Sequence, residues 1–217
     1  MKVSGIRLRQ SGFTLAELLV VILIVFVSVA LLVPYSGPSR RAKVPRCMNN
    51  QKQIEIGFIM YSSDHGDFRR QISPTNSDAG EFSYSGHAST YFQKLKEYKI
   101  PPDCFICPFE TDRKAATNYD SLNDLHLSYF VNGDNPTNSP ANTISTGDRF
   151  LQLNHQPVAH GLLVVDRNLD FEWPPKFHVN GAGCLGFADA HVESMHSDRL
   201  SAIIRTQPLA TNHFSIP

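Results

Sequence analysis

The feature of the sequence that most restricts its fold is an apolar run of 21 residues near the amino terminus, from Phe13 to Val33. The polar residues within this run are Thr14, Glu17 and Ser28. A helix of this length spans about 31 Å, which is enough to cross the hydrocarbon core of a bilayer. A carboxylate inside that core costs roughly 2.5–3.5 kcal/mol, so Glu17 needs a partner. The run therefore predicts a membrane-spanning helix that carries one functional acid.

An amine is the best partner for Glu17. Cleavage of the chain after Gly12 makes Phe13 the new amino terminus and places a positive α-amino group one helical turn before Glu17. In an assembly, the same carboxylate can instead neutralise the terminus of a neighbouring subunit. We therefore predict Gly12 and Phe13 as the cleavage residues and Glu17 as the residue on which assembly depends.

The segment around Gly12 resembles the prepilin-type signal of type IV pilins and type II secretion pseudopilins. Such signals have a short basic leader, a Gly-Phe cleavage site, a glutamate at the fifth mature position and an apolar helix. Glu17 holds that fifth position, and Pro34 is the 22nd mature residue, where many pilins also have proline. The basic residues of the leader are Lys2, Arg7 and Arg9. The resemblance implies that a prepilin peptidase cuts between Gly12 and Phe13 and methylates the new amine.

Two alternatives remain open at this point. Ser28-Val29-Ala30 resembles the cleavage site of a conventional secretory signal peptide, which would give an exported protein that starts near Leu31. Glu17 argues against this interpretation, because the apolar region of such a peptide should be uninterrupted. The second alternative is a monomeric membrane anchor in which Glu17 is incidental.

Basic residues on both sides of the apolar run leave its orientation undecided by charge alone. Those on the far side are Arg40, Arg41, Lys43 and Arg46. The prepilin resemblance implies a cytoplasmic leader. We therefore expect a single-pass protein of the bacterial inner membrane, with its head in the periplasm or outside the cell. The 20 basic residues equal the 20 acidic residues, so no net charge favours nucleic-acid binding.

The sequence divides into a leader at 1–12, a membrane helix at 13–33, a kinked continuation at 34–64 and a globular head at 65–217. Prolines and a glycine are expected to interrupt the helix after the membrane segment, at Pro34, Gly37, Pro38 and Pro45. Apolar spacing then recovers on one helical stripe, with one polar exception at Gln51. This stripe contains Cys47, Gln51, Ile54, Phe58 and Tyr61. Gly66 is the predicted helix stop.

The head is predicted to consist mostly of strands and loops, so the fold class is α+β with a pilin-like antiparallel sheet. The predicted elements are a short helix at 91–98, a strand at 125–131, a buried strand at 162–165, a hairpin with strands at 184–188 and 191–195, and a helix at 198–204 capped by Ser197. In this arrangement the long kinked helix packs against the sheet.

A second resemblance lies in the predicted hairpin. Residues 178–192 resemble the carboxy-terminal His-x9-Asp-Gly signature of a large bacterial family of prepilin-type proteins. Here ten residues separate His178 from Asp189, and Ala190 stands where that family has glycine. Because alanine resists positive φ, the turn type stays open, although a hairpin is still predicted. Further segments that resemble the family are Arg46–Ile54, Tyr61, Asp64–Gly66 and Cys107-Pro108.

The roles of His178, Asp189 and His191 are not decided by their spacing. Two imidazoles and a carboxylate can bind zinc, but the predicted turn separates these side chains. In the simpler interpretation, Asp189 shapes the hairpin through hydrogen bonds to the backbone. We predict no metal ligand and no cofactor, with zinc or calcium as the alternatives. Oxygen donors for calcium, which some pseudopilins bind in head loops, are Asp134, Asp148, Asp166 and Asp170.

The four cysteines are Cys47, Cys104, Cys107 and Cys184. A single Cys-x-x-Cys pair is weak evidence for structural zinc, and an exported compartment favours disulfides, for which three connectivities are open. We expect a Cys104–Cys107 bridge, with Cys47 and Cys184 as buried thiols or a second bridge.

The sequence contains no nucleophile elbow, phosphate-binding glycine loop or His-Glu-x-x-His motif, so nothing supports catalysis. We therefore predict a non-enzymatic, prepilin-like subunit of a type IV pilus or a type II secretion pseudopilus. Its expected partners are the membrane, the prepilin peptidase and other pilin-like subunits. The rival prediction is an exported metal-dependent enzyme.

Overall fold

The structure is a computed structural model that describes residues 12–32, 40–66, 86–134 and 139–217. The chain forms two compact units, Met1–Ser39 and Arg40–Pro217. Most of the predicted leader and the first predicted kink, at 34–38, lie outside the described residues.

The first unit contains one described helix, α1 (Leu15–Leu32). Its large apolar side chains between Leu15 and Val29 are exposed, with Phe26 76% exposed. Within the ranges given above, no helix combines the length and the apolarity that a membrane crossing requires.

The second unit begins with helix α2 (Arg40–His65). The prediction that Pro45 interrupts the helix is wrong, since α2 runs through it. Pro45 lies in the second turn, where its missing N–H removes a single backbone hydrogen bond. The predicted stripe is confirmed, because Cys47, Gln51, Ile54, Phe58 and Tyr61 are all buried. The predicted stop is also confirmed: Gly66 follows α2 with a φ of 73°.

Two shorter helices are α3 (Ala88–Gln93), which continues as a 3-10 helix over Lys94–Tyr98, and α4 (Ser197–Arg205). They confirm a helix near 91–98 and a helix near the carboxy terminus. However, Ser197 does not cap α4, whose N-cap residue is His196. The Ser197 hydroxyl instead accepts a hydrogen bond from the backbone N–H of Trp173 at 3.0 Å.

The described strands are, in chain order, β1 (Tyr129–Asn132), β2 (Ile144–Asp148), β3 (Gln152–Leu153), β4 (Gln156–Pro157), β5 (Gly161–Asp166), β6 (Phe171–Glu172), β7 (Gly183–Phe187), β8 (Val192–Met195) and β9 (Thr211–Ile216). A six-stranded sheet has the order β5-β9-β1-β2-β7-β8, and a small sheet has the order β4-β3-β6. All their pairings are antiparallel. A helical start followed by this sheet confirms the α+β class.

The three strand predictions agree with the structure to different extents. The hairpin is confirmed as β7 and β8, which pair from Gly183 with Met195 to Gly186 with Val192. The strand predicted at 125–131 begins four residues later, because Asp124–His126 forms a 3-10 turn. The run at 162–165 is a strand, but its predicted burial is wrong: Leu162 is 40% exposed and Val164 is 50% exposed. Leu162 and Val164 are alternate residues, so they lie on the same face of β5, and that face is exposed to solvent.

Helix α2 packs on the six-stranded sheet through polar as well as apolar contacts. The Gln51 amide donates to the backbone carbonyl of Cys184 on β7 at 3.2 Å. The Glu55 carboxyl accepts hydrogen bonds from the hydroxyls of Ser145 and Thr146 on β2, at 2.5 and 2.6 Å. These contacts set the register of α2 on β2 and β7, and thereby position Cys47 one turn before Gln51.

Candidate functional site

The first candidate site is the start of α1. The Glu17 carboxylate accepts hydrogen bonds from the backbone N–H and the hydroxyl of Thr14 at 2.9 and 2.8 Å. The Thr14 hydroxyl in turn accepts from the backbone N–H of Glu17 at 3.2 Å. This reciprocal arrangement is a capping box, and it explains why the helix begins at Leu15. Gly12 and Phe13 therefore precede the helix and are exposed.

The second candidate site is a buried group of side chains that we call the thiol–imidazole cluster: Cys47, Cys107, Asp148, His178 and Cys184. Each is at most 1% exposed. The Cys107 sulfur lies 3.0 Å from the Cys47 sulfur and 3.1 Å from Nε2 of His178. One ligand atom from each of Cys47, Asp148, His178 and Cys184 lies within 4.8 Å of the others. Three sulfurs, an imidazole and a carboxyl thus converge on one point.

Four separate parts of the fold supply the cluster. Cys47 comes from α2, Asp148 ends β2, and Cys184 lies on β7. Cys107 follows the 3-10 helix Pro102–Phe105, and His178 lies in the irregular segment that precedes β7. The cluster is therefore a product of the tertiary fold.

Aromatic rings and backbone geometry hold His178 in place. Its ring is stacked on Phe177 with a centroid distance of 4.2 Å and contacts Phe109 at a tilt with a centroid distance of 4.3 Å. Its φ is 44°, a left-handed conformation that is costly for a residue with a side chain. His178 is therefore held in one orientation by its surroundings.

Hydrogen bonds fix the other members. A carboxyl oxygen of Asp148 accepts from the backbone N–H of Cys184 at 2.6 Å, and its second oxygen lies 3.5 Å from the Cys47 sulfur. The Tyr129 hydroxyl lies 3.3 Å from the same sulfur.

Burial governs protonation in the cluster. It lowers the pKa of His178 to about 4, so this imidazole is neutral at pH 7. It also raises the pKa of the Cys47 and Cys107 thiols, which keeps them protonated. The pKa of Asp148 rises to about 7 because of burial, against the opposing effect of the hydrogen bond from Cys184. These pKa shifts are those of the cluster without a bound cation. The positive charge of a cation would instead lower the pKa of the thiols.

The other two residues predicted with His178 are located elsewhere. Asp189 and His191 lie in the turn between β7 and β8, and both side chains are more than a third exposed. Asp189 accepts hydrogen bonds from the backbone N–H of His191 at 2.9 Å and from its ring at 2.5 Å. Ala190 between them has a φ of 64°, so it adopts the conformation that favours glycine. His178 is buried, whereas Asp189 and His191 shape a surface turn.

The predicted Cys104–Cys107 bridge is not formed in the structure, where all four cysteines are free. The Cys104 thiol donates to the side-chain oxygen of Gln53 at 3.4 Å, while Cys107 faces Cys47 and His178. The two sulfurs of the Cys-x-x-Cys pair thus have different partners.

The four aspartates considered for calcium also lie apart. Asp134 accepts from His213, Asp166 from Asn168 and Asp170 from Arg205, whereas Asp148 belongs to the cluster. Among the residues that the structure describes, the acid, histidine and cysteine groups able to hold a metal ion reduce to this one cluster.

Sequence reasoning considered Cys47 and Cys184 as buried thiols or a second bridge and Asp148 as a calcium donor, but it did not place them with Cys107 and His178 in one site. Cys47 was predicted to lie on the buried face of its helix, and Cys184 follows the singled-out His178 by six residues. Together these two signals could have suggested that His178 has buried sulfur neighbours.

Comparison with known proteins identifies the amino-terminal segment. Residues 7–33 match the prokaryotic N-terminal methylation motif, which marks pilin-like structural subunits. No curated protein and no solved structure matches the chain. The chain carries the prepilin-type signal of type IV pilins and pseudopilins, as its own residues around Gly12 and Glu17 predict.

Proposed function

We propose that the protein is a non-enzymatic, prepilin-like subunit that is anchored in the bacterial inner membrane and assembles into a type IV pilus or a type II secretion pseudopilus. The observation that carries this proposal is the methylation motif at residues 7–33, with Glu17 at its fifth mature position. A prepilin peptidase and other pilin-like subunits are the implied partners.

Processing between Gly12 and Phe13 suits the local geometry. Both residues are exposed and precede the first turn of α1, so the peptide bond between them is not part of a helix. Gly12 has open space around its Cα, since an added Cβ would meet no atom within 4 Å. A peptidase can therefore bind the cleavage site without unwinding α1.

Cleavage creates a second possible partner for the Glu17 carboxylate, besides Thr14. In the uncleaved chain, the Glu17 carboxylate accepts hydrogen bonds from Thr14 at the start of the helix. Once Phe13 is the terminus, a positive amine lies one residue before Thr14. Attraction between opposite charges in an apolar environment is strong, so this amine, or that of a neighbouring subunit, competes with Thr14 for the carboxylate. The pairing would define the axial register of packed subunits.

The apolar surface of α1 is exposed and is expected to be buried against lipid or other protein. Large side chains along the helix are exposed, including Phe26 at 76% and Leu23 at 63%. Contiguous exposed apolar surface of this kind marks a site for lipid or for other protein. In the proposal, the 13–33 run resides first in the inner membrane, with the leader cytoplasmic and the head exported, and then packs among equivalent helices.

The experiment combines processing with assembly. Glu17→Val should leave cleavage and membrane residence intact but abolish incorporation into filaments or crosslinked oligomers. Ser28→Val is the matched control, because Ser28 is a second polar residue in the run whose hydroxyl already donates to the Ile24 carbonyl at 2.7 Å. Normal assembly of Glu17→Val, or equal loss with both variants, would contradict the proposal.

Mass spectrometry of the mature terminus tests the cleavage assignment separately. The expected terminus is methylated Phe13, and Gly12→Val should accumulate the uncleaved precursor. A terminus near Leu31 would support conventional export, and a native chain that retains residues 1–12 would refute processing.

A further inference from the structure

We propose that the thiol–imidazole cluster binds one zinc ion, with Cys47, Cys107, His178 and Cys184 as its ligands. This inference concerns the chemistry of the head and does not depend on the proposed assembly function.

The donor set suits zinc. Structural zinc sites are tetrahedral and closed, and three thiolates with one imidazole form one of their common ligand sets. Zn–S bonds of about 2.3 Å and Zn–N bonds of about 2.0 Å place neighbouring ligand atoms about 3.5–3.8 Å apart. The Cys107 sulfur lies 3.0 Å from the Cys47 sulfur and 3.1 Å from Nε2 of His178, which makes Nε2 the ligating nitrogen. The Cys184 sulfur lies 3.9 Å from the other ring nitrogen, Nδ1, and belongs with Cys47 and His178 to a group whose ligand atoms all lie within 4.8 Å of one another. Shifts of less than an ångström would bring the Cys47–Cys107 and Cys107–Nε2 contacts to the spacing of zinc ligands.

The fold prepares the cluster for a ligand. The ring of His178 is stacked on Phe177 and contacts Phe109 at a tilt, and its backbone has a costly left-handed conformation, so its orientation is restricted. Strain of this kind persists where the surrounding structure imposes it, and it concentrates at functional sites. On the other side, Cys184 is held through its backbone by Gln51 and Asp148.

Asp148 is assigned a positioning role. One of its oxygens accepts from the backbone N–H of Cys184 at 2.6 Å, which orients this part of β7. Its second oxygen lies 3.5 Å from the Cys47 sulfur. Asparagine can accept the same backbone hydrogen bond, so Asp148→Asn should keep the metal, whereas a coordinating carboxylate would not be replaced so readily.

A Cys47–Cys107 disulfide is the competing chemistry, because exported proteins meet an oxidising environment. Such a bridge accounts for two of the sulfurs only. It does not explain why the imidazole of His178 and the thiol of Cys184 converge on the same point. A metal ion accounts for all four groups.

The test measures the metal content of the full chain, purified in mild detergent under anaerobic conditions from cells supplied with zinc. Elemental analysis should give one zinc per chain, and Cys47→Ser or Cys107→Ser should lower this content at least tenfold. Cys104→Ser is the matched control, because Cys104 is also buried but bonds to Gln53 outside the cluster. Equal zinc loss in Cys104→Ser, or loss in Asp148→Asn, would overturn the ligand assignment.

A second measurement uses the wild-type chain and does not depend on how the variants fold. After removal of zinc by a chelator, added Co²⁺ should bind with the intense thiolate-to-cobalt absorption and the visible bands of tetrahedral coordination. Alkylation in denaturant without reductant should count four thiols. A chain that contains no zinc, takes up no cobalt and has lost two thiols to a Cys47–Cys107 bridge would refute the proposal.

Discussion

Gly186 lies beneath the buried carboxyl of Glu55, and adding a single methyl group there tests how α2 docks on the sheet. Glu55 is 1% exposed, and its two oxygens accept from the hydroxyls of Ser145 and Thr146 at 2.5 and 2.6 Å. A Cβ at position 186 would lie 2.5 Å from a carboxyl oxygen of Glu55 and 2.7 Å from the Thr146 hydroxyl. Contacts this short cannot persist, so Gly186→Ala must displace the carboxyl.

The cost follows from two effects. Overpacking of a close-packed interior costs typically about 1–3 kcal/mol. A displaced carboxyl also loses its hydrogen bond with Thr146, and leaving a buried polar group without its partner costs about 1–3 kcal/mol. We therefore expect Gly186→Ala to lower the free energy of unfolding by roughly 2–6 kcal/mol. For a unit of this size, the melting temperature should fall by roughly 4–24 °C.

Denaturant unfolding of the full chain in mild detergent measures this change. Trp173 is the single tryptophan and is 2% exposed, so its fluorescence reports loss of the head's core. The midpoint should fall while the dependence of free energy on denaturant concentration stays unchanged, as for a change in stability alone.

A double-mutant cycle identifies the cause. In a Glu55→Ala background, the methyl group at position 186 no longer meets a carboxyl and its remaining close contact is with the Thr146 hydroxyl, so Gly186→Ala should cost less there than in the wild-type background. An equal cost in both backgrounds would refute the argument, because it would show that the methyl group clashes with something other than Glu55.

Two further predictions concern the turn at Ala190 and the phenol of Tyr98. Ala190→Gly should raise the free energy of unfolding by up to about 1.5 kcal/mol, because the left-handed conformation costs alanine about 1–2 kcal/mol, whereas glycine loses about 0.5–1 kcal/mol more chain entropy. A lower denaturation midpoint would contradict this. The hydrogen bond to Asp64 raises the pKa of Tyr98 to about 12. The contribution of this hydrogen bond to the free energy of unfolding should therefore be complete below about pH 10, the pKa of tyrosine in the unfolded chain, and should be lost as the pH rises through 12. Burial also raises the pKa of Tyr119 and Tyr129, so ultraviolet titration should show several late phenols, one of which ionises earlier in Asp64→Asn. An unchanged titration would argue against the hydrogen bond between Tyr98 and Asp64.

The docking of α2 shows how far spacing along the sequence can predict a packed face. Steps of three and four from Cys47 to Tyr61 identified the buried stripe because residues at those intervals share one side of a helix. The predicted stripe did not include Glu55, although this residue follows Gln51 by four positions. A buried helix face is broader than a single stripe, so a carboxyl at its margin can be buried when a strand supplies hydroxyls. The sequence of α2 alone does not contain the hydroxyls of Ser145 and Thr146.

The two candidate sites differ in how far apart their residues lie in the sequence. The processing signal is local: Gly12, Phe13 and Glu17 act within one short segment, so spacing alone was enough to recognise it. The thiol–imidazole cluster is nonlocal, because its sulfur and nitrogen contacts join residues 60 and 71 positions apart. Local reasoning paired Cys107 with Cys104, its nearest cysteine in sequence. The docking of α2, whose Asn50 amide donates to the backbone carbonyl of Ile106, instead brings Cys107 against Cys47, and the segment before β7 places His178 beside it. No spacing rule contains that arrangement.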